Sequence, residues 1–253
     1  MRMIKSQPSW HYSGDCLVVE YWAEPDAVAD LLPPGVEIDK KSNGRAFFWF
    51  LDWQFTGAND ELTNFAQCQY REAFVLLETL IDGMAVNYCP YIFSDCDAAI
   101  ARGWGHGIAK KLSTIFQTRT FSAPGPAAAP LAGGSRFGGS LTVRGKRLAT
   151  ARVQLEEPVA DPAALFLRPM ALPRYFPQLD TVFRNKPAVG GLIMPVMDDL
   201  AMLDVWSGSA DLTVSDVGSE DLSRLAPLCI GRGFRLGMSY SVADMRLLKD
   251  YTE

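Results

Sequence analysis

Residues 69–93, QYREAFVLLETLIDGMAVNYCPYIF, are two apolar runs joined by Asp82-Gly83. An Asp-Gly pair between such runs favours a two-residue hairpin turn, because the central residues of that turn need a positive φ that Asp and Gly tolerate. Both runs contain many β-branched and aromatic residues, which suit strands. The segment therefore predicts two buried antiparallel strands joined by a tight turn.

Further along the chain, Arg144-Gly145-Lys146 predicts a second hairpin within residues 138–157. Nearer the N-terminus, Pro25 suits the first turn of a short helix, which Pro33-Pro34-Gly35 ends. Other segments are predicted by their apolar patterns: strands at 16–22, 45–55, 112–121, 203–216 and 233–248, and short helices at 94–105, 159–166 and 219–226. Residues 122–134, SAPGPAAAPLAGG, predict a loop.

These elements predict a single domain, residues 1–253, of the α+β class in which strands dominate. A large antiparallel barrel or sandwich with a few short helices accommodates them most economically. The hydrophobic content of 48% is sufficient for a substantial core, and no internal repeat is visible. A closed barrel has a mouth in which a small ligand can bind.

The composition excludes several classes of partner. A net charge of −5 leaves no broad basic surface for nucleic acid. No apolar run approaches the roughly 18 residues that span a bilayer, and the N-terminal residues lack a signal-peptide core, so we expect a cytoplasmic protein without membrane contact. Five cysteines without CxxC spacing and two histidines predict reduced thiols, no metal site and no cofactor.

The stretch GWGHGIAKKL, residues 103–112, places two lysines side by side after three glycines. A lysine amine attacks a ketone only when it is neutral, and a free side chain with a pKa near 10.4 is neutral less than about 0.1% of the time at pH 7. Burial and an adjacent cation both disfavour the ammonium form. A nucleophilic lysine is therefore one interpretation of this pair, and a solvated pair of surface lysines is the other.

Together with QYREAF upstream, the stretch CDAAIARGWGHGIAKKL resembles the acetoacetate decarboxylase superfamily. The resemblance extends from Gly14 to about Phe121 and implies a cone-like antiparallel β barrel with the lysine inside, in a homo-oligomer. It implies that Lys110 is the Schiff-base lysine, Lys111 the cation that lowers its pKa, and Glu72, in Tyr70-x-Glu72, the facing carboxylate. Without the resemblance, Glu72 reads as an exposed strand carboxylate.

This sequence departs from the pattern of the decarboxylases. Their early arginine is matched here by about Gly14-Asp15, and the strand GRAFFWFLD carries no acid before Asp52. We therefore expect a non-decarboxylating lyase, in which a 2-oxo acid such as pyruvate forms the Schiff base. Five further residues are candidates for acid/base or substrate-binding roles: His106, Tyr240, Arg102, Arg119 and Tyr70. A keto-acid decarboxylase and a non-catalytic ligand-binding barrel remain alternatives.

Overall fold

The computed structural model describes residues 8–57, 61–123, 125–165, 168–179, 182, 186–218 and 220–252. Its strands are, in chain order, β1 (Trp10–Trp22), β2 (Val36–Ile38), β3 (Arg45–Thr56), β4 (Gln69–Ile81), β5 (Met84–Ser94), β6 (Lys110–Leu112), β7 (Thr114–Gln117), β8 (Arg136–Val143), β9 (Lys146–Pro158), β10 (Met170–Pro177), β11 (Pro187–Val214) and β12 (Cys229–Asp250). The helices are α1 (Pro25–Ala29), α2 (Phe65–Cys68) and α3 (Asp97–His106), with 3-10 turns at Glu61–Thr63, Pro162–Leu165 and Asp221–Leu225.

Seven of these strands form a closed ring. The hydrogen-bonded order runs β10-β5-β4-β3-β1-β12-β11, and β10 pairs with β11 as well as with β5, which closes the circle. Every pairing in the ring is antiparallel except the one between β10 and β5. That parallel pairing is short, because only Met170 opposite Asn87 and Ala171 opposite Tyr88 are in register. Strands β9, β8 and β7 continue from β11 as a second layer, and the short strands β2 and β6 pair with β4 and β5.

Side-chain alternation along the ring strands produces two cores. One face of the strands forms an inner core whose strand residues come from the ring alone, such as Cys16, Leu51, Leu172 and Leu236. The other face packs against the second layer and forms an outer core, which includes Phe50, Leu141 and Leu148. Successive residues of a strand point to opposite faces, so neighbouring residues of one strand enter different cores.

The strand-dominated α+β fold is confirmed, and so are both hairpins. Asp82 and Gly83 have φ values of 50° and 79°, and Arg144 and Gly145 have 48° and 77°. These are the positive values that the tight turn requires, which is why the turn residues could be located from the sequence.

Several predicted boundaries were wrong. The first strand begins at Trp10 instead of residue 16, because residues 10–15 continue the pairing with β3 and β12 although Gly14 and Asp15 are typical of turns. The strand predicted at 112–121 divides into β6 and β7 at Ser113. The helices predicted at 159–166 and 219–226 are short 3-10 turns, and residues 124, 166 and 219 of the predicted segments lie outside the described residues.

Candidate active site

Strand β6 determines where the two adjacent lysines point. It runs parallel to β5, with Lys110 opposite Ile92 and Lys111 opposite Phe93. Because neighbouring strand residues point to opposite faces, only one lysine can enter the ring. Lys110 is buried, with 5% of its surface exposed, whereas the Lys111 side chain is 51% exposed.

Inside the ring, Lys110 contacts Glu72. The Lys110 Nζ donates a hydrogen bond to Glu72 Oε1, and the pair forms a buried ion pair. Glu72 lies on β4, where alternation sends Tyr70, Glu72 and Phe74 to the inner face. The Nζ also lies 5.3 Å from the centre of the Tyr70 ring. The structure thus brings together the lysine and the carboxylate that the resemblance paired.

The glycine-rich approach to Lys110 is a helix and its end. Helix α3 closes at Gly107, whose φ is 85°, and the Ile108 amide then donates to the Gly103 carbonyl at 2.7 Å. A β-carbon at Gly103 would lie 2.9 Å from Lys110 Cε and 2.5 Å from the Ile108 oxygen. Glycine at this position therefore leaves the space through which the lysine side chain passes. The Trp104 indole donates to the Lys110 carbonyl at 3.0 Å and fixes the backbone of β6.

The structure does not bring Lys111 to Lys110. Its Nζ donates instead to Glu220 Oε2 at 2.6 Å, on the side of the sheet away from the ring interior. Glu220 is itself buried and stands just before the 3-10 turn Asp221–Leu225. The predicted role of Lys111, a cation placed against the reactive amine, does not fit this geometry, because alternation along β6 separates the two side chains.

Arg102 lies at the inner face of the ring, where Glu72 also lies. It is buried on α3, and its guanidinium carbon lies 3.6 Å from the centre of the Phe55 ring and 5.6 Å from that of Tyr70. Arg102 Nη2 and the Tyr70 hydroxyl are both buried and form no well-aligned hydrogen bond to any described residue, although the Arg102 guanidinium lies close enough to the Tyr70 and Tyr12 hydroxyls to interact with them. Because buried polar atoms normally make well-aligned hydrogen bonds, a polar ligand or water could bind here.

Arg119 lies elsewhere. Its Nε donates to Asp52 Oδ2 at 2.5 Å, and both residues line an open cleft of about 740 Å³ that also contains Arg71, Asp95 and Arg235. The lining of the Lys110 cavity includes neither Arg119 nor Arg102, but only Arg102 packs against Tyr70, whose ring lies beside the Lys110 Nζ. The prediction that Arg119 binds the substrate carboxylate is therefore not supported, because its guanidinium is held by an aspartate in a separate cleft.

Lys110 and Glu72 line a cavity of about 60 Å³. His106 and Tyr240 also line it, so the structure brings both predicted residues to the site. His106 stacks on Trp10 with ring centres 3.9 Å apart, and Tyr240 stacks on Tyr12 at 5.1 Å.

Trp10 and Tyr12 line the same cavity but were missed from the sequence. The period of two in Trp10-His11-Tyr12 is the signal that indicates a strand with two aromatic residues on one face. Burial raises the pKa of Tyr12 to about 12, which Arg102 opposes and Glu72 increases. Burial also holds the pKa of Tyr240 well above its usual range. Both phenols are therefore protonated donors near neutral pH.

Within the part of the chain that the structure describes, no group of three or more His, Cys, Asp or Glu side chains could hold a metal ion. Nor is any helix there long and apolar enough to cross a membrane.

The sequence and fold resemble those of known proteins. A family model described as acetoacetate decarboxylase (ADC) matches residues 2–252, whereas no curated protein matches. The enduracididine biosynthesis enzyme MppR complexed with pyruvate is 34% identical over 97% of this chain and 92% of its own, with a TM-score of 0.88. Its complex with the condensation product of pyruvate and imidazole 4-carboxaldehyde has a TM-score of 0.90, covering 98% and 92% of the two chains at the same identity. An acetoacetate decarboxylase-like enzyme from Sphingomonas wittichii RW1 shares the fold at 21% identity, with a TM-score of 0.88 over 98% of this chain and 95% of its own.

Proposed function

The chain belongs to the acetoacetate decarboxylase (ADC) family, and from this membership we propose that it is a Schiff-base-forming lyase acting on a small keto acid. In this proposal a 2-oxo acid such as pyruvate forms an imine on Lys110 and undergoes aldol condensation and dehydration, or the reverse. The observation that carries the proposal is the buried Lys110 side chain in contact with Glu72 at a small cavity. The similarity to MppR, which was solved with pyruvate and with a pyruvate condensation product, supports the same chemistry.

The direct contact between Lys110 and Glu72 supports a proton transfer between them. With one proton transferred to Glu72, the neutral Nζ forms a bond to the ketone carbon of the acid. The ketone oxygen then takes one proton from the nitrogen and one from Glu72 and leaves as water, which gives a protonated imine and restores the Glu72 carboxylate. Loss of a proton from the neighbouring methyl carbon to Glu72 gives an enamine. That carbon then bonds to an aldehyde carbon, and the aldehyde oxygen takes a proton to become a hydroxyl group. Loss of a second proton from the same carbon to Glu72 then expels the hydroxyl, which takes a further proton and leaves as a second water. Hydrolysis of the imine releases the product and restores the amine.

We assign Arg102 to the substrate carboxylate, which needs a cationic partner in a buried site. Its guanidinium carbon is buried 5.6 Å from the centre of the Tyr70 ring, and its Nη2 makes no well-aligned hydrogen bond to a described residue, which supports this assignment. Tyr240 and His106, at the cavity wall, are proposed to donate the proton to the leaving hydroxyl group. Tyr70 is proposed to orient Lys110 through its ring, 5.3 Å from the Nζ.

A keto-acid decarboxylase is the second candidate, because that activity gives the family its name. The position of the family's early arginine argues against it. A β-carbon at Gly14 would lie 2.7 Å from the Trp53 ring, so no larger side chain fits at this position. Asp15, the neighbouring residue, pairs with Arg235 at 2.7 Å. A non-catalytic binding barrel is disfavoured by the buried Lys110–Glu72 pair. Burying two charges costs desolvation free energy, and a protein that only binds a ligand has no need of such a pair.

Borohydride trapping tests the proposal. With pyruvate, reduction should fix the adduct on the peptide that contains Lys110, and Lys110→Ala should carry none, whereas Lys111→Ala should still be labelled. In Glu72→Gln, the rate at which pyruvate methyl protons exchange with deuterated water should fall by about a hundredfold or more, because the variant lacks the base that removes them. Release of CO2 from acetoacetate, measured in parallel, would favour the decarboxylase. Absence of any adduct with either acid in the folded protein would refute the Schiff-base proposal.

A further inference from the structure

The cavity beside Lys110 has one charged end and an otherwise uncharged wall. Among the described residues that line it, the charged side chains are Lys110 and Glu72, which pair with each other. The remaining wall contains aromatic and aliphatic side chains together with three methionines, Met170, Met197 and Met245, from the neighbouring ring strands β10, β11 and β12. Arg102, which is proposed to bind the carboxylate of the keto acid, is not among the lining residues, so the wall offers no further counter-ion to a charged group on a compound that reacts with the enamine.

The cavity is also small for two reactants. Its volume of about 60 Å³ is less than a tenth of the 740 Å³ of the open cleft that contains Arg119. The wall must therefore yield when that compound binds. Methionine suits such a wall, because its unbranched side chain has three rotatable bonds and adapts to differently shaped neighbours.

Met197 marks the place where the cavity reaches the surface. It lines the cavity and yet is 39% exposed. The pairing of β11 with β12 shifts register on both sides of it, between Val196 and Met197 and between Asp198 and Ala201. Such irregular pairing leaves this part of β11 less constrained than the regular strands of the ring. Asp198 and Asp244 are exposed and do not belong to the lining.

We propose that the second substrate is an uncharged apolar or aromatic aldehyde, which enters at Met197 and packs against the methionine wall. This inference rests on the proposed function, because the aldehyde reacts with the enamine formed on Lys110. A charged aldehyde would lose its hydration on entering the cavity without gaining an opposite charge, which disfavours its binding. An apolar ring has no charged group whose hydration is lost, and it gains contact with the methionine side chains.

The test uses pyruvate with three aldehydes that share one ring: benzaldehyde, 4-carboxybenzaldehyde and 4-(trimethylammonio)benzaldehyde. We expect kcat/KM for condensation, followed by mass spectrometry of the products, to be at least about tenfold higher for benzaldehyde than for either charged compound. Met197→Glu should raise the relative rate of the cationic aldehyde. Leu200→Glu, which adds the same charge at an exposed position on β11 outside the lining, should leave the ranking unchanged.

Borohydride trapping with pyruvate alone distinguishes failure of imine formation on Lys110 from failure of the aldehyde preference. If Lys110 is labelled by pyruvate but a charged aldehyde reacts as well as benzaldehyde or better, the inference is overturned while the imine chemistry stands. The same conclusion follows if no aldehyde reacts, or if Leu200→Glu changes the ranking as much as Met197→Glu does. If pyruvate labels nothing, the proposed function fails and the inference fails with it. Circular dichroism of each variant confirms that it is folded.

Discussion

Replacing Lys111 by alanine tests whether the reactive amine depends on a neighbouring cation. Two unit charges about 5 Å apart, at an effective dielectric constant of about 20, repel each other by about 3 kcal/mol. If Lys111 acted on Lys110 in that way, Lys111→Ala would slow imine formation by about a hundredfold or more. In the structure the Lys111 ammonium is bound to Glu220 on the other side of the sheet. We therefore expect the rate of borohydride-trapped imine formation with pyruvate to change by less than about threefold.

Lys111→Ala should instead lower the free energy of unfolding. Without Lys111, the buried carboxylate of Glu220 loses the ammonium that the structure gives it, which costs about 1–3 kcal/mol of unfolding free energy. Denaturant titration measures this loss, and Lys111→Ala combined with Glu220→Gln should recover part of it, because the uncharged amide is cheaper to bury. Lys111→Arg is the control that keeps the charge. A rate that falls a hundredfold in Lys111→Ala and returns in Lys111→Arg would refute the reasoning from geometry.

Two further predictions concern Gly103 and Tyr12. Gly103→Ala should remove most imine formation, since the added carbon would lie 2.9 Å from Lys110 Cε and 2.5 Å from the Ile108 oxygen; an unchanged trapping rate would contradict the close fit. Because the pKa of Tyr12 is raised to about 12, its phenol ionises later in the folded protein than in the unfolded chain, where it ionises near 10. The stability linked to Tyr12 is therefore complete below about pH 10 and declines as the pH rises towards 12. Tyr12→Phe should reduce that decline in denaturant titrations, and an identical alkaline profile would contradict it.

Local chemistry explains which parts of the fold could be predicted from the sequence. The Asp82-Gly83 turn was predictable because its residues tolerate the backbone angles that the turn needs. The early start of β1 was not, since Gly14 and Asp15 are typical of turns and only pairing with two neighbouring strands holds them extended. That error also hid Tyr12, which belongs to the site.

The contact between Lys110 and Glu72 was predictable, but the directions in which the neighbouring charged side chains point were not. The resemblance brought Lys110 and Glu72 together from strands that are distant in sequence. The direction of Lys111 depends on the pairing of β6 with β5, a long-range contact that the adjacent letters of the sequence do not reveal. Arg119 and Arg102 looked alike as carboxylate ligands, and only the fold, by giving Asp52 to Arg119, distinguishes them.

The short join between β10 and β5 has a consequence for altering substrate size. Two residue pairs hold this seam, together with hydrogen bonds from the Asn87 backbone amide to the Pro169 carbonyl and from the Asn87 side chain to the Arg168 carbonyl, whereas the other ring strands share far longer ladders. Opening a structure locally requires less free energy where fewer contacts must break. Met170 stands at the seam and also lines the chamber. To admit bulkier reactants, substitutions should therefore begin at the short β10–β5 pairing. Weakening it is expected to widen the chamber beside Met170 and to leave Lys110 and Glu72 unchanged.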